Sequence, residues 1–463
     1  MSRNTKIIGC GAFGKVYVTH RKKDPDSMVA IKVLDKTQLT EQLPQIMREV
    51  QILTTVDHPY IVKYFETYDD KSYLYLVMEY IQGQELFEHI TEKEGGKFTE
   101  KEAIVYMEQL FKAVSHLHAQ NIVHRDIKPQ NIMIDKNNRV RLIDFGLSEF
   151  KLDSKKSAII AGTPYFMSPE SLKGMQGKES DMWSLGVLLY LLVSGHYPFN
   201  AANKQALFLK IQEDDFEFDR QSFRTVSASC KNLICKLLVK DCKQRISITE
   251  ALSHEWFKTP ETQQADNIAQ IEAETIERLR NFKGRTQMKR QAMRLLVRMT
   301  SSSDNQVIHL REQFQRIDSD NTGLIDVKKL VNIVQAHFTE QEANQIIKEL
   351  DSSGNHMINY SEFIAATTNI VAFLENQEGR EKVDAIFEMF DTRHEGRISA
   401  KDIKSAMEKL NRQISDQEIS DTMAKYDMND DGYIDREEFE KFFIGDNTPT
   451  TPVAVHGRAS RLK

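Results

Sequence analysis

The chain has 463 residues, which is enough for two or three domains that each bury a hydrophobic core. Hydrophobic residues make up 40% and charged residues 28%, which excludes a disordered chain and a membrane-embedded one. The net charge of −6 excludes a protein that is basic throughout, so nucleic acid is not an expected partner.

Cysteine usage and the lack of long apolar runs indicate where the chain works. Four cysteines are too few and too irregularly spaced for a disulfide framework or a zinc site, which favours reduced thiols and a cytoplasmic or nuclear location. No apolar run approaches the roughly 20 residues of a membrane span. Ser2 stands where myristoylation requires glycine, so we expect no membrane anchor.

Hydrophobic periodicity divides the first half of the chain into two parts. Short β-type runs occur at 7–18 and 29–34, with glycines between them. Helical periodicity then dominates, as at 103–118 and 182–193. This pattern predicts a small β-rich lobe followed by a larger helical lobe, together forming one unit over residues 1–257.

A glycine-rich segment, Gly9-Cys-Gly-Ala-Phe-Gly14, lies between Ile8 and Val16. Glycine lets the backbone approach phosphate groups where side chains would clash. By itself the pattern is weak, because a hairpin without a ligand and a dinucleotide site also contain such glycines. A Rossmann site has a helix directly after the glycines, whereas a β-run follows here, which favours a strand–loop–strand flap.

Further motifs follow in a fixed order. Val29-Ala-Ile-Lys32 places a lysine on a strand, and Glu49 on a predicted helix could hold that lysine by an ion pair. His124-Arg-Asp-Ile-Lys-Pro-Gln-Asn131 supplies a base, a cation and an amide, and Asp144-Phe-Gly146 comes next. Together these motifs resemble the protein kinase family in order and spacing over the whole of residues 1–257.

The resemblance implies a bilobal α+β kinase fold, ATP and Mg²⁺ as cofactors, and a role for each matching residue. Lys32 would contact the α- and β-phosphates and pair with Glu49. Asp126 would accept the proton of the substrate hydroxyl, and Lys128 would steady the transferred phosphoryl group. Asn131 and Asp144 would hold Mg²⁺. The remaining nucleotide contacts would come from Ile8, Gly9, Gly11, Phe13, Gly14, Val16, Ala30, Glu79 and Glu85.

Other matches refine the expected specificity. Ser168-Pro-Glu170 would end the activation segment, with Glu170 paired to Arg245. Asp126-Ile-Lys128 together with Gly162-Thr-Pro164 resembles serine/threonine rather than tyrosine kinases. Glu85 is a candidate for contacts with ribose and with a substrate arginine, so protein substrates with serine or threonine in a basic context are expected.

Two departures from the family pattern affect regulation and substrate choice. Ile159 occupies the usual phosphorylation position of the activation loop, so Arg125 lacks the phosphate that it meets in many kinases. Ser157 is either a modified residue or an ordinary loop serine. Gln130 replaces an acidic residue that some kinases use to bind a substrate arginine.

Acidic 12-residue segments at 318–329, 351–362, 391–402 and 427–438 repeat along the second half of the chain. A calcium-binding EF-hand loop needs oxygens at positions 1, 3, 5, 7 and 9, glycine at 6 and glutamate at 12. The fourth segment satisfies every position, so its predicted Ca²⁺ ligands are Asp427, Asn429, Asp431, Tyr433, Asp435 and Glu438.

The other three loops depart from the pattern. The first has Asp318, Asp320 and Thr322 as candidate ligands but a lysine, Lys329, at position 12. The second has Asp351, Ser353, Asn355 and Glu362 as candidate ligands but His356 in place of the glycine. The third has Arg393 at position 3 and the shorter Asp402 at position 12. The expected order of binding is fourth, second, first, with the third chiefly structural.

Between the two halves, residues 258–305 form a linker that becomes strongly basic from Arg278 to Arg298. Apolar residues recur there at helical spacing, at Met288, Ala292, Leu295, Leu296 and Met299. Such helices resemble calmodulin targets. The alternatives are a solvated connecting helix and one that is permanently docked.

The order of kinase domain, basic junction and four EF-hands resembles the calcium-dependent protein kinases. This implies a kinase fold at 1–257, an all-α calmodulin-like region of two EF-hand pairs at 306–443 and a disordered tail at 444–463. It also implies a monomer in which the junction inhibits the kinase until Ca²⁺ is bound. The long N-terminal extension of many relatives is lacking, which fits either a soluble form or an incomplete start.

Two other functions stay open at this point. One is a constitutive or calmodulin-controlled kinase whose altered EF-hands are mainly structural, which the three degenerate loops keep open. The other is a calcium-sensing scaffold, against which the intact catalytic set argues.

Overall fold

The computed structural model describes most of the chain, and the two units below refer to that part. The described residues are 5–11, 14–21, 24–36, 43–150, 163–258, 275–276, 278–279, 286–300, 305–318, 320–326, 330, 357–375, 377–410 and 414–444. They divide into two compact units. The first unit holds residues 1–270 with 311–330 and 356–360, and the second holds 271–310, 331–355 and 361–463.

The first unit begins with a five-stranded antiparallel sheet in the order β1-β2-β3-β5-β4. Its strands are β1 (Lys6–Gly11), β2 (Gly14–Arg21), β3 (Asp24–Asp35), β4 (Tyr64–Asp69) and β5 (Tyr73–Glu79). One helix, α1 (Leu43–Thr55), packs its buried Ile46 against Leu34 of β3 and Leu76 of β5. This is the predicted small lobe.

The larger lobe is mostly helical and surrounds one extensive apolar core. Its helices are α2 (Leu86–Thr91), α3 (Glu100–Ala119), α4 (Lys178–Ser194), α5 (Lys204–Glu213), α6 (Ala228–Leu237) and α7 (Ile248–Leu252). Helix α3 begins with a capping box between Thr99 and Glu102. Helix α4 is buried almost all around, which explains its continuously apolar sequence.

Short strands in this lobe carry the loops that form the site. They are β6 (Gly83–Glu85), β7 (Ile122–Val123), β8 (Ile132–Asp135), β9 (Val140–Leu142) and β10 (Glu149–Phe150). Strands β6, β8 and β9 form one small sheet, and β7 pairs with β10. Residues 124–131, called the catalytic loop below after the kinase motif that they resemble, lie between β7 and β8, so both ends of that loop are anchored by backbone hydrogen bonds.

The EF-hand region is helical, as predicted. Its helices are α8 (Gln287–Met299), α9 (Asn305–Ile317), α10 (Tyr360–Thr367), α11 (Ile370–Leu374), α12 (Gln377–Phe390), α13 (Ala400–Lys409), α14 (Asp416–Tyr426) and α15 (Arg436–Ile444). Helix α14 begins with a capping box between Ser415 and Glu418.

Each pair of loops is joined by a short antiparallel contact at position 8. In the first pair, strand β11 (Leu324–Asp326) pairs with β12 (Met357–Asn359), with Ile325 opposite Ile358. In the second pair, Ile398 and Ile434 exchange backbone hydrogen bonds. The four loops therefore form two EF-hand pairs, as the sequence predicted. No helix of the described residues is long and apolar enough to cross a membrane.

Candidate active site and calcium-binding loops

Strand β3 and helix α1 bring a lysine and a glutamate together in the small lobe. The Nζ of Lys32 lies 2.6 Å from Oε1 of Glu49 and 3.5 Å from Oδ1 of Asp144. The ion pair that the sequence suggested between Lys32 and Glu49 is therefore present. It joins the sheet to α1, and Asp144 at the start of the Asp-Phe-Gly segment lies within reach of the same cation.

The electrostatics of this triad favour a positively charged lysine. Although burial alone would lower it, the carboxylates of Glu49 and Asp144 raise the pKa of Lys32. Burial raises the pKa of Glu49, while Lys32 opposes that rise. Burial also acts to raise the pKa of Asp144, but Lys32 and the backbone amide of Gly146 lower it overall. The site thus holds a charged lysine beside an ionised aspartate.

The catalytic-loop residues converge on the carboxylate of Asp126. The Nζ of Lys128 lies 2.6 Å from its Oδ2, and the amide nitrogen of Asn131 donates to the same oxygen at 2.9 Å. The hydroxyl of Thr163 lies 3.2 Å from Oδ1. The sequence had placed Lys128 and Asn131 near Asp126 but had not predicted the contact with Thr163.

The backbone of this loop is held by a buried carboxylate. Asp181 of α4 accepts the backbone N–H groups of His124 and Arg125 and the ring nitrogen of His118. Arg125 has a left-handed backbone with a φ of 68°, an uncommon conformation for a residue other than glycine. The anchoring by Asp181 holds this strained residue immediately before Asp126.

The described residues that the sequence predicts to contact the nucleotide lie on β1, β2, β3, β5 and β6. Gly14 also lets two strands approach each other, because a Cβ there would clash with the backbone carbonyl oxygen of Val33 on β3. Glu79 ends β5, and Glu85 directly precedes α2. Burial raises the pKa of Glu85. Phe13 lies outside the described residues.

The end of the activation segment is held by the predicted ion pair. The guanidinium of Arg245 contacts both carboxylate oxygens of Glu170, at 2.5 and 3.0 Å, and the pair is buried. Such bidentate geometry is the strongest form of this interaction. Ile159 and Ser157, on which the sequence suggested a departure from the family, lie outside the described residues.

Glu149, which belongs to none of the sequence motifs, connects the catalytic loop to α1. Its carboxylate forms an ion pair with Arg125, and the guanidinium of Arg48 on α1 lies 3.5 Å from its other oxygen. Nearby, the side-chain amide of Gln45 donates to the carbonyl of Gly146 at 2.5 Å. An acidic residue five positions after Asp144 was the available signal.

The fourth EF-hand loop has the expected turn, and its position-12 glutamate binds the loop backbone. Asp427 accepts the amide N–H groups of Asp431 and Gly432. Glu438 accepts the amides of Met428, Asn429 and Asp435 at distances between 2.8 and 3.2 Å. All six predicted positions carry oxygen atoms that suit Ca²⁺. No three His, Cys, Asp or Glu side chains form a metal-type cluster among the described residues.

In the third loop an arginine of the loop itself occupies the centre. The guanidinium of Arg393 contacts Asp402 at 2.9 Å, the hydroxyl of Ser399 at 2.8 Å and Glu395 at 3.3 Å. These three residues stand at positions 12, 9 and 5, which are ligand positions in a calcium loop. An internal cation therefore fills the place of the metal ion, which agrees with the expectation that this loop is structural.

The first loop lies within the same compact unit as the kinase lobes. Asp318 accepts the amides of Thr322 and Gly323. Burial and the neighbouring Asp320 raise the pKa of Asp318 to about 8, which disfavours the charged form that a metal ion needs. The carbonyl of Thr322 lies 2.9 Å from Nδ1 of His116 on α3. Lys329 at position 12 lies outside the described residues.

In the second loop only the last part is described, and it contains an unexpected partner. Glu362, at position 12, forms an ion pair with Arg294 of the basic junction helix α8. Glu362 is buried and Arg294 is largely buried, so solvent screens the pair little. The predicted ligands Asp351, Ser353 and Asn355, and His356 with them, lie outside the described residues.

The junction helix packs within the second unit, and its apolar face differs from the predicted one. Met288, Ala292 and Leu296 are buried as expected, but Leu295 and Met299 are only partly buried. Met293 and Val297 are buried instead, because α8 contacts both α12 and α15. Lys289 is also buried, with its Nζ 5.9 Å from the ring centre of Tyr426. The apolar face is thus wider than predicted and contains a charge.

The residues present fit the groups that the sequence implied. Asp144 and Asn131 offer the carboxylate and amide oxygens that Mg²⁺ binds, and the amide nitrogen of Asn131 is already used by Asp126. Lys32 is a largely buried cation of the kind that binds phosphate oxygens, and the carboxylates beside it raise its pKa. The fourth loop presents hard oxygen donors for Ca²⁺, whereas the third loop does not fit a cation because Arg393 fills it.

Comparison with known proteins covers both halves of the chain. Residues 2–257 match the family model described as protein kinase domain, and residues 308–368 and 380–444 match that of an EF-hand domain pair. The chain is 31% identical to calcium-dependent protein kinase 5 of Plasmodium falciparum, over 95% of this chain and 77% of that protein. It is also 31% identical to calcium-dependent protein kinase 4 of Plasmodium falciparum and of Plasmodium berghei, over 96% of this chain and 86% of each relative.

Proposed function

The chain belongs to the calcium-dependent protein kinases, and on that basis we propose that it transfers the γ-phosphoryl group of ATP to serine or threonine of protein substrates. The observation that carries the proposal is the convergence of Lys128, Asn131 and Thr163 on the carboxylate of Asp126. This arrangement fixes a general base beside a cation, which is what transfer to a hydroxyl requires.

Each residue has a distinct task in this proposal. Asp126 accepts the proton of the substrate hydroxyl, and Lys128 balances negative charge on the transferred group. Lys32, held by Glu49, orients the nucleotide phosphates, while Asp144 and Asn131 hold Mg²⁺. Magnesium-bound ATP supplies the phosphoryl group and neutralises charge on its oxygens. The protein contributes position and electrostatics rather than covalent chemistry.

Two features support serine and threonine as acceptors in a basic context. The hydroxyl of Thr163 donates a hydrogen bond to Asp126, so the activation segment is held at the proposed base. Thr163 belongs to the Gly162-Thr-Pro164 motif, which resembles that of serine/threonine kinases. Glu85 lies half-buried before α2 and offers a carboxylate for a substrate arginine. We further expect a monomer, with the EF-hand region as the intramolecular regulatory partner.

The junction and the EF-hands offer a route by which calcium controls activity. Glu362 cannot pair with Arg294 and also serve as the bidentate ligand at position 12 of the second loop. Binding of calcium to that loop would therefore release Arg294 and loosen the junction helix. If the junction inhibits the kinase at rest, this release activates the enzyme. The fourth loop, with its complete set of oxygen donors, would be the first to respond.

The direct test is phosphoryl transfer to a serine- or threonine-containing basic peptide with Mg²⁺, in calcium and in chelator. We expect activity that rises with calcium and disappears in Asp126→Asn, while that variant still binds ATP. Glu217→Gln, an exposed carboxylate in the large lobe, is the matched control. Activity retained in Asp126→Asn would refute the assigned base, and equal activity in calcium and chelator would favour a constitutive kinase.

A further inference from the structure

Arg125 carries a charge that needs a partner close to the catalytic base. Its side chain is only 12% exposed, and burial lowers the pKa of its guanidinium while Glu149 opposes that shift. The Nε of Arg125 donates to the carbonyl of Leu147 at 2.6 Å, and a terminal nitrogen donates to Glu149. A guanidinium shielded in this way is costly to leave without an anion.

Glu149 is well placed to hold two elements at once. Its backbone pairs with Val123 through the contact of β10 and β7, so it is fixed beside the strand that leads into the catalytic loop. Its carboxylate also lies 3.5 Å from Arg48 of α1. The next residue along α1 is Glu49, which holds Lys32. The carboxylate of Glu149 thus links the loop that contains Asp126 to helix α1, which positions Lys32.

A surface ion pair with no role in catalysis is the simplest alternative. Glu149 is 40% exposed and Arg48 is 49% exposed, so the Glu149–Arg48 contact contributes little to the overall stability of the protein. The Arg125 side differs because that guanidinium is shielded and lies directly before the base. The expected effect of Glu149 is therefore on the placement of the catalytic loop and α1, rather than on overall stability.

We propose that Glu149 is a positioning residue whose carboxylate joins Arg125 to helix α1 and takes the place of a phosphate on the activation segment. The negative charge that many kinases add to this region by phosphorylation is then part of the chain. This would explain why the sequence keeps Arg125 although Ile159, at the usual phosphorylation position, cannot be phosphorylated. The proposal rests on the kinase activity proposed above and concerns how its active arrangement is held.

The first test compares Glu149→Gln with the wild-type full-length chain at saturating calcium. The substitution keeps size and hydrogen bonding but removes the charge, so we expect kcat to fall about tenfold or more. The KM for ATP should stay within about twofold, because no nucleotide contact is removed. Glu149→Asp should restore part of kcat, and Glu213→Gln, an exposed carboxylate that ends α5, should leave it unchanged. A kcat within about twofold of wild type in Glu149→Gln would overturn the proposal.

The second test asks whether a phosphate is needed. Wild-type protein treated with phosphatase, and shown by mass spectrometry to carry no phosphate, should keep its calcium-stimulated activity. Loss of most activity on dephosphorylation would show that a phosphate, and not Glu149, supplies the charge.

The effects of Arg48→Met and Glu149→Gln on kcat should be less than additive, because both break the same link.

The third measurement needs no catalysis, so it separates this proposal from the proposed function. Hydrogen exchange of the backbone amides of α1 should speed up in Glu149→Gln and stay at the wild-type rate in Glu213→Gln. Faster exchange in a protein without kinase activity would leave the link in place and refute the proposed function alone. Unchanged exchange in α1 would refute the link whatever the activity.

Discussion

The third and fourth EF-hand loops have nearly the same backbone but opposite partners for position 12. In both, the first aspartate accepts the amides of positions 5 and 6, and a glycine at position 6 has a positive φ. In the third loop the position-12 carboxylate of Asp402 binds the guanidinium of Arg393. In the fourth, Glu438 binds backbone amides of its own loop.

This difference shows that an EF-hand loop can be completed by a cation from the chain. The guanidinium of Arg393 reaches far enough to meet the short side chain of Asp402, so the loss of the longer glutamate is compensated. The fourth loop has no such internal cation among its ligand positions and keeps its negative charge for a metal ion. The second loop is a third case, because the cation on Glu362 comes from the junction helix.

The largest effect is expected from Glu438→Gln in the fourth loop. The amide keeps the size of the side chain but removes one charge and the bidentate carboxylate, so the calcium concentration for half-maximal activation should rise about tenfold or more. The measurements are calcium titrations that are followed by kinase activity and by calorimetry. Glu437→Gln, the exposed neighbouring carboxylate, is the matched control. An unchanged titration in Glu438→Gln would show that the fourth loop is not the trigger.

A smaller and opposite effect is expected from Arg294→Met in the junction helix. Without the guanidinium, Arg294 no longer competes with a metal ion for Glu362, so calcium should bind to the second loop about threefold more tightly or better. Calorimetry of calcium binding to the full chain measures this independently of activity. Arg294→Lys keeps the positive charge, so its calcium affinity should stay close to that of the wild type. Weaker calcium binding in Arg294→Met would contradict the competition between Arg294 and calcium for Glu362.

The sequence predicted the parts of the molecule that local patterns determine. The pairs Lys32–Glu49 and Glu170–Arg245 follow from motifs with known spacing, and both are present. The ligand positions of the four loops can be predicted in the same way, because each has a fixed offset within 12 residues; residues 327–329 and 351–356 of these loops lie outside the described residues.

The long-range contacts could not be predicted in the same way. Arg48 and Glu149 are 101 residues apart, and Arg294 and Glu362 are 68 apart, so no local spacing relates them. The apolar face of α8 was misjudged at Leu295 and Met299 because contacts on two sides, with α12 and α15, decide which residues are buried. Arg393 was recognised as a departure, but its pairing with Asp402 depends on the folded loop.

A still smaller effect on calcium binding is expected when ligands are restored in the third loop, which should then bind calcium. Arg393→Asp together with Asp402→Glu restores carboxylates at positions 3 and 12 beside Asp391, Glu395 and Gly396. Calorimetry should then report one more bound calcium ion per chain than in wild type. Arg393→Ala alone is the control, because it removes the internal cation and leaves the shorter Asp402. The same stoichiometry in the double variant and wild type would contradict the view that Arg393 occupies a metal position.

The smallest expected effect is on acid stability of the third loop. Burial acts to raise the pKa of Asp402, but hydrogen bonds from Arg393, Ser399 and Thr392 lower it well below its ordinary value. A pKa that is lower in the folded state adds stability above the unfolded value of about 4, and this contribution is lost as the pH falls through the folded value. Removing Arg393 raises the folded pKa of Asp402 towards the unfolded one, so protonation should begin at higher pH.

Arg393→Ala should therefore move the acid-induced opening of residues 391–410 upward by about half a pH unit, measured by hydrogen exchange of the calcium-free chain. Lys404→Met is the matched control, since it removes an exposed cation on α13, the helix that contains Asp402. Exposed ion pairs such as that of Lys404 contribute little to stability. In the fourth loop, Glu438 at position 12 accepts backbone amides and meets no arginine among the described residues, so the opening of this loop should follow the same pH course in all three proteins. Equal opening of the third loop in Arg393→Ala and wild type would mean that the arginine does not hold Asp402 in its charged form.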